Sequence, residues 1–220
     1  MRKLSSLIAF VLLTVTGLAG AVELQDGQNF VTYNPPRATD VRDRIEVTEF
    51  FWYGCSHCFH LEPDLQKWLK KLPKDATFRR IPAVFPDRSG NPGQWASGAA
   101  LYYTLEAMGI GEKLHGDIFN AIHNERNMDL LRDDKAMAAW LGKKGVDAKA
   151  FTAAYQSFAV RSKVLRSMQL TEAHGLDGVP AIVVDGRYRA IALPGGTNDD
   201  YLAIADKLID KARKDRAVKK

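Results

Sequence analysis

From Ile45 to Phe51 the chain alternates at first and then becomes continuously apolar and aromatic; Gly54 breaks the run, and the only two cysteines follow at once as Cys55-Ser56-His57-Cys58. A run of strand length that ends without polar alternation suits a central strand covered on both faces. Beyond the first cysteine, Phe59, Leu61, Leu65, Trp68, Leu69 and Leu72 recur at helical spacing. They predict a helix from Cys55 to about Lys71 with one apolar stripe. Pro63 falls inside that helix and is expected to kink it. Thr77 to Val84 reads as the next strand. Strand, helix and strand in this order form a crossover unit with a parallel sheet, so the fold class is α/β. The dithiol sits where the crossover begins, at the carboxyl end of the strand, the general place for a site in an open α/β sheet.

Two thiols three residues apart reach each other across the first turn of a helix. The first of them lies among unpaired backbone N–H groups at the positive end of the helix dipole, which stabilises a thiolate. The thiolate is the attacking species in disulfide exchange, so Cys55 is the expected nucleophile and Cys58, one turn deeper, the resolving thiol. A protonated His57 beside Cys55 would lower its pKa further, and His57 is the residue expected to make the site strongly oxidising. A purely structural bridge is the competing reading, but closing so short a loop removes little chain entropy and stabilises little.

Met1, Arg2 and Lys3 precede an apolar run from Leu7 to Leu18 and the small residues Ala19-Gly20-Ala21. That pattern predicts a cleavable secretory signal over residues 1–21, with the mature chain starting near Val22. The run is shorter than the roughly 20 residues a membrane span needs. An exported protein lives where disulfides persist, yet two cysteines do not make a disulfide-stapled scaffold. Losing Arg2 and Lys3 takes the formal charge from +5 to +3, too mild a balance to argue for nucleic acid. The basic run from Lys207 to Lys220 is interspersed with Asp206, Asp210 and Asp215 and reads as a solvated helix end.

The rest of the chain is mostly helical. Asn29 to Thr32 is a short strand before the break at Pro35-Pro36. Helices are expected over Trp95–Met108, Glu112–Ile122, Asp133–Leu141 and Ala148 to about Ala173, with Gly109, Gly111 and Gly142 between them. Ala181–Val184 and Tyr188–Ala192 flank Asp185-Gly186, the strongest hairpin signal present. A last helix runs from Asp199 to about Arg213, capped by Thr197 or Asn198.

Glu49-Phe50-Phe51-Trp52-Tyr53-Gly54-Cys55-Ser56-His57-Cys58 at one end, and Gly178-Val179-Pro180-Ala181-Ile182-Val183-Val184-Asp185-Gly186 at the other, resemble the thioredoxin fold. The helical block between the third strand and the Val-Pro pair resembles the DsbA family of exported thiol:disulfide oxidants. The resemblance implies a thioredoxin-like domain over 22–85 and 171–220 with a helical domain inserted over 86–170. It implies a periplasmic oxidoreductase, without a cofactor, that passes its Cys55–Cys58 disulfide to unfolded or newly exported proteins. A membrane oxidase of the DsbB type would re-oxidise it, and a single compact domain fits a monomer. Residue by residue, it implies that Glu49 moves protons to and from Cys58, and that Pro180 is cis, turning the Val179 backbone toward Cys55 to pair with an extended substrate. Glu49 also reads as a solvent-facing strand residue or as the partner of Arg80 in a structural ion pair. Trp52, Tyr53, Phe59 and Pro194 are candidates for an apolar rim. The chain departs from the best-known members at Ser56, where they carry proline, which bears on redox potential rather than on fold.

Two other functions compete. A disulfide isomerase or reductase uses the same site, but exported isomerases of this superfamily usually carry a dimerisation domain, for which there is no room between Val22 and Glu46. A metal module would draw on Cys55, Cys58, His57 and His60, whose helical positions point in different directions, whereas a structural zinc site needs four convergent ligands.

Overall fold

The computed structural model describes residues 23–218, so the predicted secretory signal lies outside the described residues. Strand β2, Ile45–Phe51, is buried along its whole length and is the second strand in from one edge of a five-stranded sheet. It pairs in parallel with β3, Ala76–Pro82, and antiparallel with β4, Ala181–Val184; β5, Tyr188–Ala190, and β1, Phe30–Thr32, complete the order β1-β5-β4-β2-β3. The crossover from β2 to β3 is helix α1, Ser56–Leu69. It continues unbroken through Pro63, whose missing N–H costs it one internal hydrogen bond. The stripe of Leu61, Leu65 and Trp68 seats α1 on one sheet face, shared with Ile204, Leu208 and Ile209 of helix α7, Asn198–Val218. The β4–β5 turn has the expected form: Asp185 at φ 57° and Gly186 at φ 60°. A Cβ at Gly186 would lie 2.2 Å from the Arg37 carbonyl oxygen, so only glycine fits there.

Between β3 and β4 lie α2, Ala96–Ala107, α3, Gly111–His123, a 3₁₀ turn at Met128–Leu131, α4, Asp134–Lys143, α5, Ala148–Tyr155, and α6, Phe158–Ala173. Their core, with Leu101, Leu105, Ile118, Phe119 and Phe151, is continuous with Phe51 and Tyr53 at the end of β2. Leu170 of α6 packs instead with Phe50, Ile81 and Val183 on the second sheet face, so α6 ties the helical block to the sheet.

Three elements differ from expectation. The single helix predicted over Ala148–Ala173 is two helices, because the Ser157 side chain accepts from the Val160 N–H at 3.2 Å and caps a new start. The 3₁₀ turn has no amphipathic period to announce it. Helix α7 extends to Val218, past Arg213, since Arg216 on its last turn bonds the Asp185 carboxylate and the Arg42 carbonyl. At its other end Thr197 and Asp200 satisfy each other's backbone N–H groups, at 2.8 and 3.2 Å.

Candidate active site

Cys55 is the N-cap of α1, with extended backbone (φ −87°, ψ 117°), and its sulfur accepts from the Cys58 N–H at 3.4 Å. An N-cap side chain lies where the first helical N–H groups converge, so the fold presents this sulfur to the positive end of α1. Gly54 makes the approach possible. A Cβ there would lie 2.5 Å from the Trp52 indole, which is held by stacking on Trp95 with centroids 4.4 Å apart and planes 2° from parallel. Both cysteines are thiols in this structure. Cys55 is half-buried and Cys58 fully buried, in line with an attacking and a sheltered sulfur.

Their acidities diverge. The Cys58 thiol, through a hydrogen bond to the Cys55 sulfur, is the largest pull on Cys55; the N–H groups of Cys58 and His57 and the His57 charge add to it, burial opposes, and the thiol is lowered to about 6. Burial first, then the Cys55 and Glu49 charges, push the Cys58 thiol far above the ordinary thiol range. His57 is exposed, and its charge is the smallest of these downward pulls on Cys55. The sequence reading gave the imidazole the leading part; the Cys58 thiol, and after it the capped helix start, contribute more.

On the sheet side, the Val179–Pro180 bond is cis and the Val179 carbonyl accepts from the Cys55 thiol at 3.3 Å. A groove of about 520 Å³ runs away from it, with His57, His60, Val179, Ile191, Arg189 and Tyr201 among its walls. Of the expected rim, Trp52 and Phe59 are half-buried and Pro194 is exposed. Tyr53 is not part of it: at 1% exposure it is a core residue, with its hydroxyl 2.9 Å from His115 Nδ1.

Glu49 does not face solvent. It is 1% exposed, one carboxylate oxygen 3.2 Å from Arg80 Nε. Burial pushes its pKa up to about 8 against the pull of Arg80, and Glu62 pushes the same way. The same guanidinium donates to Glu62 at 3.0 and 3.2 Å and to the exposed Glu112 at 3.2 Å. Burial also pushes Glu62 up, but His115, Arg80 and Gln66 outweigh it and hold this carboxyl below its usual range. One buried cation is thus shared among three acidic side chains. Sequence reasoning offered Arg80 as a partner of Glu49 and missed Glu62 and His115. Glu62 carries a usable signal: seven residues after Cys55 it is two helical turns on, on the same face. Among the described residues, no group of three or more His, Cys, Asp or Glu side chains is arranged to hold a metal ion.

A thioredoxin-type sheet with an N-capping thiolate, a buried resolving thiol and a cis-proline opposite defines a thiol:disulfide oxidoreductase. Comparison with known proteins narrows the class. Residues 46–205 match the family model described as DSBA-like thioredoxin domain. The chain is 42% identical over 170 residues to the thiol:disulfide interchange protein DsbA of Azotobacter vinelandii, covering 77% of this chain and 76% of that one. It is 36% identical over 212 residues to the protein of the same name from Pseudomonas aeruginosa, covering 94% and 97%. The crystal structure of Pseudomonas aeruginosa DsbA superposes with a TM-score of 0.78 at 38% identity, over 88% of this chain and 96% of that one. The oxidoreductase DsbA from Xylella fastidiosa gives 0.78 at 27% identity, over 87% and 98%. The chain belongs to the DsbA family.

Proposed function

We propose that this oxidoreductase works as an oxidant of exported proteins in the periplasm, through Cys55. The observation that carries the reading is the split between the two sulfurs: Cys55 lowered to about 6 and Cys58 pushed up. A thiolate stabilised only in the dithiol state favours the reduced enzyme, and so makes the Cys55–Cys58 disulfide easy to give away. A substrate thiolate attacks Cys55 Sγ and the Cys55–Cys58 bond breaks. Cys58 leaves with the electron pair and takes a proton from the carboxyl of Glu49, which its raised pKa keeps protonated at neutral pH. A second substrate thiolate then attacks the substrate sulfur of the mixed disulfide and expels Cys55 as a thiolate. The substrate leaves oxidised by two electrons and the enzyme as a dithiol.

In this reading Pro180 keeps a backbone N–H away from the sulfurs and Val179 offers its backbone to an extended substrate. The thioredoxin-like part is residues 22–85 and 171–220, with the helical domain over 86–170, and the working form is a monomer. Return to the disulfide needs an oxidant, a membrane oxidase of the DsbB type. Oxidation of a reduced, unfolded protein with several cysteines, followed by free-thiol titration, tests this. Stoichiometric loss of two substrate thiols per enzyme disulfide supports it; a disulfide that survives a molar excess of substrate dithiol contradicts it.

A further inference from the structure

Behind the thiols, one polar atom facing the Glu49–Arg80–Glu62 cluster makes no hydrogen bond among the described residues and meets Glu62 only at looser range. His115 of α3 is 3% exposed, and its Nε2 makes no hydrogen bond. The rest of the ring is fixed. Nδ1 lies 2.9 Å from the Tyr53 hydroxyl, and if that hydroxyl donates, the ring proton must sit on Nε2. The opposite tautomer would aim a bare nitrogen lone pair at a carboxylate, because Nε2 faces Glu62 Oε2 at 3.6 Å. That distance exceeds a hydrogen bond. A buried N–H left without a partner costs roughly 1–3 kcal/mol, so its retention calls for a use.

The surroundings supply one. Glu62 reaches His115 from α1 and Arg80 reaches it from β3; Tyr53 comes from the loop after β2, Tyr102 from α2, and Glu112 from the same helix, α3. Glu62 is held by Arg80 and, at Oε1, by the Gln66 amide at 2.7 Å, while its Oε2 also faces the His115 Nε2–H. When Glu49 gives its proton to Cys58, a third full carboxylate appears on Arg80, beside Glu62 and the exposed Glu112, and the guanidinium cannot serve all of them equally. We propose that His115 is a positioning residue for proton delivery to Cys58: its Nε2–H takes up Glu62 as Glu49 ionises, releasing the Arg80 guanidinium to the new Glu49 carboxylate. Only one proton moves, from the Glu49 carboxyl to the Cys58 sulfur as the Cys55–Cys58 bond breaks; His115 stays neutral, as burial and the Arg80 charge favour. The inference rests on the proton role given to Glu49 above.

The test is the pH dependence of reduction of the intact enzyme disulfide by a dithiol peptide, with rates divided by the fraction of peptide thiolate. In the unmodified protein the corrected rate falls as pH rises through the Glu49 midpoint, about 8. In His115→Phe, Glu62 keeps its hold on Arg80, Glu49 ionises less readily, the neutral-pH rate drops several-fold, and the falling limb moves up by about one pH unit. His115→Gln, whose amide N–H can reach Glu62, restores the limb toward its original place. Tyr53→Phe, which removes the hydroxyl that fixes the tautomer, moves it upward as well, and carries the test alone if His115→Phe does not fold. A limb unmoved or moved down in both His115→Phe and Tyr53→Phe overturns the proposal. If the unmodified protein has no falling limb and Glu49→Gln leaves the corrected rate unchanged, the Glu49 reading itself fails, and this inference with it.

Discussion

Replacing Glu49 by glutamine is expected to stabilise the reduced protein, by an amount that grows with pH. The folded-state pKa of Glu49, about 8, stands above its ordinary 4.5. For a carboxyl raised in this way, stability is intact below the unfolded pKa and is lost as pH rises through the folded one, because the unfolded chain ionises first. With those two values the loss is about 1 kcal/mol at pH 5, about 3 at pH 7 and about 4 at pH 8. Glutamine keeps the shape and a hydrogen-bonding oxygen for Arg80 but does not titrate. The variant is therefore expected to gain about 3 kcal/mol on the parent between pH 5 and pH 8. Urea denaturation of both proteins under dithiothreitol, at matched ionic strength across this range, measures it directly. Parallel stability–pH curves for the two proteins, or a variant that loses ground as pH rises, would refute the reasoning, since either means Glu49 ionises freely in the folded state.

Other consequences are as concrete. Cys58→Ala removes the largest influence holding Cys55 down and is expected to raise its pKa from about 6 by more than His57→Ala does, since the His57 charge is the smallest of the downward pulls; thiolate absorbance at 240 nm gives both midpoints. Arg80→Met leaves Glu49 and Glu62 buried without their cation, and stability at neutral pH should fall by about 3–5 kcal/mol in chemical denaturation. Gly54→Ala sets a methyl 2.5 Å from the Trp52 ring, so the Trp52–Trp95 stack must open, at a cost of about 1–3 kcal/mol visible as a lower Tm.

The parts of this protein set by local pattern were readable in the sequence, and those set by long-range packing were not. The boundaries of β2 follow from a run that alternates and then turns wholly apolar before a glycine break, and the Asp185-Gly186 hairpin from residues that tolerate positive φ. The cysteine pair announced itself by spacing and by its place after a strand. Tyr53 looked like a rim residue because it neighbours Trp52 and the cysteines. Its burial depends on α3 closing over it through Phe119 and His115, and that contact spans some sixty residues of chain. Glu62 and His115 each sit in an amphipathic helix beside apolar positions and among other polar residues, a pattern equally compatible with a solvated edge. Only the meeting of α1, α3 and β3 around Arg80 gives them a shared cation. The split at Ser157 was legible in principle, since a serine three residues before Val160 is a capping signal, but the apolar period runs through it.

Stabilisation of the Cys55 thiolate, by the Cys58 thiol first and by the helix N-terminus next, is what makes this disulfide a ready donor. The most direct test is the reduction potential of the Cys55–Cys58 pair, from equilibrium with glutathione buffers at pH 7. A value clearly more oxidising than the glutathione pool, above about −200 mV, is expected. A value near that of thioredoxin, about −270 mV, would contradict the account and make the protein a reductant in need of an electron-donating partner.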